Sequence, residues 1–238
     1  MNRVIILIFV MILILFSCEK EINNSGLHRG LVAYYPFDGD AKDKSTNNNH
    51  GIIRGANFTQ DRFGNINSAL NFDGDGDWVN CGSGNRGITN KITISLWLRT
   101  YEAQCFVISK YNTGPGFLLY INANGYLRFG GRDLENIQNG EYIVTSEPSK
   151  SINDSDWHHI VAVVNNCRWE LRIDGVLEGT ATSSTYLQPD ISNAFYLLIG
   201  HCSIQSSMTE IYGKIDDVAI YNRILTHEEM NKIRVDGI

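Results

Sequence analysis

The chain has 238 residues, of which 43% are hydrophobic, enough for one domain with a proper core. Twenty lysines and arginines stand against 26 aspartates and glutamates, giving a formal net charge of −6. The basic residues never cluster, which argues against a nucleic-acid partner or a polybasic membrane patch.

After Met1, Asn2 and Arg3 an apolar run extends unbroken from Val4 to Phe16. It has the length of a secretory hydrophobic region and falls short of the roughly 18 to 20 residues that a membrane span needs. Leu15, Phe16, Ser17 and Cys18 resemble a bacterial lipobox. That resemblance implies a signal peptide over 1–17, cleavage before Cys18, acylation of Cys18, and a protein anchored in the bacterial cell envelope at the outer membrane. The alternative is a plain signal peptide with an incidental cysteine. Residues 18–29 are polar and without hydrophobic period, so they read as a flexible tether. Glu19 and Glu21 beside the anchor are similar to tags that send lipoproteins to the outer cell surface. The folded domain is expected over residues 30–238.

Asp73, Asp75 and Asp77 alternate in DGDGDWV, as at the start of an EF-hand loop. Position 6 of that loop would be Trp78 and position 12 Gly84, where the motif requires glycine and glutamate, so the stretch reads as a turn before it reads as a metal loop. Gly82, Gly84 and Gly87 spell GxGxxG, yet a strand follows them and no helix presents its N-terminus to a phosphate.

Strands dominate the remainder. In Ile92 to Thr100 the residues Ile92, Ile94, Leu96 and Leu98 alternate with Thr93, Ser95, Trp97 and Arg99. Phe117 to Ile121 and Tyr126 to Phe129 flank an Asn124-Gly125 turn; Glu170 to Ile173 and Val176 to Glu178 flank Asp174-Gly175. Both turn pairs tolerate the positive φ angles of tight hairpins. Trp157 to Asn165, Phe195 to Gly200 and Lys214 to Asn222 continue the series. One helix is expected at Thr226 to Arg234, opened by a capping box of Thr226 and Glu229. An all-β fold follows, a two-sheet antiparallel β-sandwich or jelly roll with one short C-terminal helix. Besides Cys18 the chain has Cys81, Cys105, Cys167 and Cys202, which export could oxidise to disulfides in any of three pairings. No CxxC and no cysteine–histidine spacing suits zinc.

Six blocks, Tyr34 to Gly51, Ser68 to Val79, Ile92 to Thr100, Asp156 to Val164, Leu171 to Gly175 and Gly213 to Met230, resemble in order those of the laminin-G-like jelly roll of the concanavalin A-like lectin and glucanase superfamily. The resemblance implies two curved antiparallel sheets and sugar-binding or adhesive roles at the cell surface. It also implies a structural calcium ion near the first strand, for which Asp38, Asp43 and Asn48 match polar positions, with Asp216 as a fourth oxygen donor. A solvated polar loop without an ion is the alternative.

Glucanases of the superfamily carry an ExDxxE strand, which is absent here. Glu170 and Asp174 are spaced as ExxxD, and Asp216 and Asp217 are adjacent, which in a regular strand points them to opposite faces. His158 and His159 are likewise expected on opposite faces. The expected protein is therefore a non-catalytic carbohydrate-binding module. A protein-binding or adhesive jelly roll is the alternative, and a divergent glycosidase a third. Sugar contacts are expected from Tyr101, Tyr111, Asn112, Arg132, Trp169 and Tyr186, with Trp78, Trp97 and Trp157 assigned to the core or its edge. The partner would be a glycan or a cell-surface protein.

Overall fold

The computed structural model describes residues 26–83, 87–111, 116–132, 141–145, 151–182, 195–203 and 210–238. The segment expected as a leader, Cys18, most of the stretch expected as a tether, Asn112 and Tyr186 lie outside these residues, and of Arg132 only the backbone is described.

Two antiparallel sheets form a sandwich. The first is ordered β13 (Val176–Thr182), β12 (Arg168–Ile173), β11 (His158–Asn165), β6 (Lys91–Thr100), β15 (Tyr212–Tyr221), β4 (Ala69–Asp73) and β3 (Asn57–Thr59), with β1 (Leu31–Tyr35) also paired to β15. The second is ordered β10 (Glu141–Thr145), β9 (Leu127–Arg132), β8 (Gly116–Ile121), β7 (Cys105–Lys110), β14 (Leu198–Ile199), β5 (Trp78–Asn80) and β2 (Ile52–Arg54). Period-two alternation sends Ile92, Ile94, Leu96 and Leu98 of β6 into the space between the sheets, where they meet Val107, Phe117, Leu119 and Phe129 of the second sheet. Each such aliphatic side chain contributes roughly 1.5–3 kcal/mol on burial.

The outer face of the first sheet has its own apolar patch, formed by Val161, Val163, Ala219 and Tyr221 and covered by Met230 and Ile233 of the helix α1 (His227–Asp236). The capping box is present: Thr226 Oγ1 accepts from the Glu229 amide, and the Glu229 carboxylate accepts from the Thr226 amide. Leu27 is buried in this same patch, and Arg223 donates to the carbonyls of Gly26 and Arg29. Gly26, Leu27 and Arg29, within the polar stretch expected as a tether, are therefore held against the folded domain.

The Asp73 to Trp78 stretch is a turn between β4 and β5, with Gly74 and Gly76 at φ +82° and +77°. Asp77 is buried and its carboxylate accepts from the Asp73 amide, while that of Asp73 accepts from the Asp75 amide. No disulfide joins the four described cysteines. Burial, helped by the charge of Glu102, pushes the Cys105 thiol up to about 12.

Candidate functional site

β15 changes partner along its length. Residues 212–215 pair with β4, and residues 218–221 pair with β1. Between the two halves the register slips, and Asp217 adopts φ +49°. This bulge re-aims the side chain, so Asp216 and Asp217 do not point to opposite faces as strand alternation would require. Both meet Arg62, whose Nη1 lies 2.8 Å from Asp216 and 2.9 Å from Asp217. The guanidinium also lies over the rings of Trp97, at 4.5 Å, and Phe63, at 4.4 Å. The Tyr34 hydroxyl donates to Asp217 over 2.6 Å. Tyr34, Arg62, Asp216 and Asp217, together with Asp38, Asp61 and Asp236, line a cavity of about 250 Å³. Burial, with the like charge of Asp217 behind it, pushes the Asp216 carboxyl up to about 8.

Calcium ligation does not fit the four residues expected to provide it. Asp38 and Asp216 share the cavity, but the cation already facing Asp216 is Arg62. The Asp43 carboxylate is filled from within its own loop and β1: one oxygen accepts from the amides of Tyr34 and Ser45, the other from the Ser45 hydroxyl and the Asn49 amide. Four donors occupy its four lone-pair directions, leaving none for an ion. Asn48 is exposed, at φ +56° in the turn. Among the described residues, no group of three or more histidines, cysteines, aspartates or glutamates is placed to hold a metal ion.

The remaining carboxylates considered for catalysis are engaged structurally. Asp174 (φ +54°) and Gly175 (φ +85°) form the β12–β13 turn, and the Asp174 carboxylate accepts from the His159 amide and bonds His158 Nδ1 at 2.8 Å. The bond to Asp174 is the main reason the His158 imidazole titrates above its ordinary range. His159, on the opposite face, is buried against Trp97 with Nε2 2.9 Å from Ser95 Oγ. Burial pulls it down to about 4. Glu170 is held by Arg168 and Arg172.

The expected aromatic contacts divide sharply. Trp169 is 1% exposed and packs against Phe129 at 4.9 Å, because β12 begins one residue before it and alternation turns it inward with Leu171 and Ile173. Tyr111 is buried with Phe106 and Cys202. Neither can receive a sugar. Tyr101 is 36% exposed and lies beside Tyr212, 41% exposed, with ring centroids 5.3 Å apart. The pair is fixed from below: the Tyr101 amide and the Thr100 hydroxyl both donate to the Tyr212 carbonyl. At Gly213 the strands approach so closely that a Cβ would lie 2.3 Å from the Arg99 carbonyl oxygen. By alternation Trp97 and Arg99 of β6, with Tyr101 just past its end, and Tyr212, Lys214 and Asp216 of β15 share the outer face, so the tyrosines stand at one end of the strip that holds Arg62. Tyr212 is not among the contacts expected from the sequence. Extending the alternation of Asp216 and Lys214 by one step finds it.

Two antiparallel sheets in a jelly-roll strand order define a β-sandwich, which here carries an exposed aromatic pair. A laminin-G-type family model described as the concanavalin A-like lectin/glucanases superfamily matches residues 73–231, and the chain belongs to that superfamily. A curated relative, a non-toxic nonhemagglutinin of Paraclostridium bifermentans, is 26% identical over 203 residues, covering 82% of this chain but only 15% of its own length. Domain 4 of AbnA, an extracellular arabinanase of Geobacillus stearothermophilus solved with arabinotriose, superposes with a TM-score of 0.67 at 17% identity, covering 85% of this chain and 97% of that one. A structure of botulinum neurotoxin type C, whose cell entry depends on interaction with two ganglioside molecules, gives a TM-score of 0.64 at 14% identity, covering 88% of this chain and 51% of the other. These structural likenesses show the fold.

Proposed function

We propose that the protein is a non-catalytic carbohydrate-binding module, carried on the bacterial outer membrane by an acyl group on Cys18 and facing outward. The observation that carries the reading is the Tyr101–Tyr212 pair. Two large aromatic rings remain exposed at one end of a sheet face, held by hydrogen bonds from the Tyr101 amide and the Thr100 hydroxyl to the Tyr212 carbonyl, where the apolar side of a pyranose can stack. The sugars bound by the arabinanase domain and by the neurotoxin support the reading by analogy of fold. A glycosidase reading is weakened by Arg62, which ties Asp216 and Asp217 into one ion-paired cluster, and by the missing ExDxxE strand.

A protein-binding role is favoured by a different feature, the β3–β4 connection, where Phe63 and Ile66 are 68% and 73% exposed. A glycan array probed with the full chain in detergent separates the two readings. Saturable binding to a sugar class, lost in Tyr101→Ala and Tyr212→Ala, supports the carbohydrate reading; silence from folded protein moves the assignment to a protein partner. Incorporation of labelled palmitate, abolished by Cys18→Ser, tests the anchor.

A further inference from the structure

Next to the tyrosines lies an electrostatic anomaly. Arg99 and Lys214 oppose each other directly across β6 and β15. Like charges so placed destabilise a sheet. Opposite charges would have relieved the strain, yet among the described residues neither cation has a carboxylate within ion-pair distance. The Arg99 Nε–H is buried without an acceptor, although the guanidinium leans over the Tyr101 ring at 5.7 Å. Burial and then the Arg99 charge pull the Lys214 ammonium below its ordinary range, so the lysine senses its neighbour. In a chain of net charge −6 with no basic cluster in its sequence, two uncompensated cations stand together beside the exposed aromatic pair.

Resting on the carbohydrate reading above, we propose that the Tyr101–Tyr212 platform recognises acidic sugars, with a ring carboxylate seated between Arg99 and Lys214 and the ring face on the tyrosines. A planar guanidinium matches a carboxylate in two parallel hydrogen bonds, and the ammonium supplies a point charge beside it. The anion would meet the outward nitrogens of the guanidinium and relieve the repulsion between the two cations, an arrangement that a neutral sugar cannot provide.

The test is a panel of uronate and sialate oligosaccharides, each presented as the free acid and as its carboxyl methyl ester, with neutral and sulfated sugars alongside. The full chain in detergent should bind its preferred acid about tenfold or more tightly than the ester of the same sugar. Arg99→Met and Lys214→Met should each weaken acid binding far more than ester binding, so that the tenfold advantage of the acid is lost. Tyr101→Ala should weaken both, and salt should weaken only the acid. Thermal melts confirm that the variants fold. Equal binding of acid and ester, or binding of neutral sugars alone, overturns the inference and leaves the carbohydrate reading standing. Binding of sulfated sugars alone overturns the carboxylate assignment. Silence toward every sugar overturns both readings together.

Discussion

Replacing Arg62 with methionine should destabilise the domain, and by an amount that depends on pH. The arginine side chain is 8% exposed and that of Asp216 3% exposed, so water screens their contact little. Removing one partner of a buried ion pair costs about 3–5 kcal/mol because the other charge is left uncompensated. Asp216 has an escape, since it can hold a proton. Its carboxyl already titrates at about 8, raised by burial and Asp217 and lowered by Arg62. An acid raised in the folded state binds its proton on folding, so its effect is most favourable below the unfolded value near 3.8 and is lost as pH rises through about 8. Without Arg62 the carboxyl rises further. The variant should therefore lose about 3 kcal/mol at pH 6, where Asp216 is protonated with or without Arg62, and about 5 at pH 9, where the parent ionises Asp216 beside Arg62 while the variant must hold that carboxyl protonated. At about 2–4 °C per kcal/mol for a domain of this size, the loss in Tm is about 6–12 °C at pH 6 and about 10–20 °C at pH 9. Thermal melts by circular dichroism at the two pH values measure it, and adding Asp216→Asn to the variant should recover part of the loss. A drop below about 2 °C, or the same drop at both pH values, would refute the reasoning.

Asp174→Asn keeps the turn, since asparagine tolerates the same positive φ, but removes the charge that raises His158. A histidine raised by its partner contributes stability below about pH 6.5 that fades as pH climbs through its folded value, so the variant should cost about 1 kcal/mol at pH 5.5 and less at pH 9 in urea melts, Asp174 being partly screened by water. Asp43→Ala removes four hydrogen bonds from the loop after β1 and should cost about 2–4 kcal/mol, equally in calcium and in chelator. A chelator-dependent Tm of the parent protein would show that an ion site had been overlooked. A reductant should leave Tm unchanged, and Cys105 should resist alkylation until the protein unfolds, as peptide mass mapping can check.

Where local chemistry and one clear period agree, the sequence is sufficient to place an element. Ile92 to Thr100, the Asp174-Gly175 turn and the Thr226–Glu229 capping box all fall where their patterns put them. β7 was not legible because all six of its residues are buried, and a strand covered on both faces carries no alternation. Trp169 was misjudged by the start of one strand: beginning β12 at Arg168 turns the ring inward. The Arg62–Asp216 contact joins residues 154 apart in sequence and depends on a bulge that adjacent aspartates do not announce. The Arg99–Lys214 opposition depends on the pairing of β6 with β15, which appears only once the sheet is assembled. Composition supplied aromatic residues in plenty, but which of them face water was decided by that assembly.

The most direct test of the carbohydrate reading is titration of the full chain, and of a Tyr101→Ala/Tyr212→Ala variant of unchanged Tm, with the sugar that scores highest on a glycan array. The account predicts saturable binding by the parent and its loss in the variant. Undiminished binding by the variant would place the sugar elsewhere and contradict it.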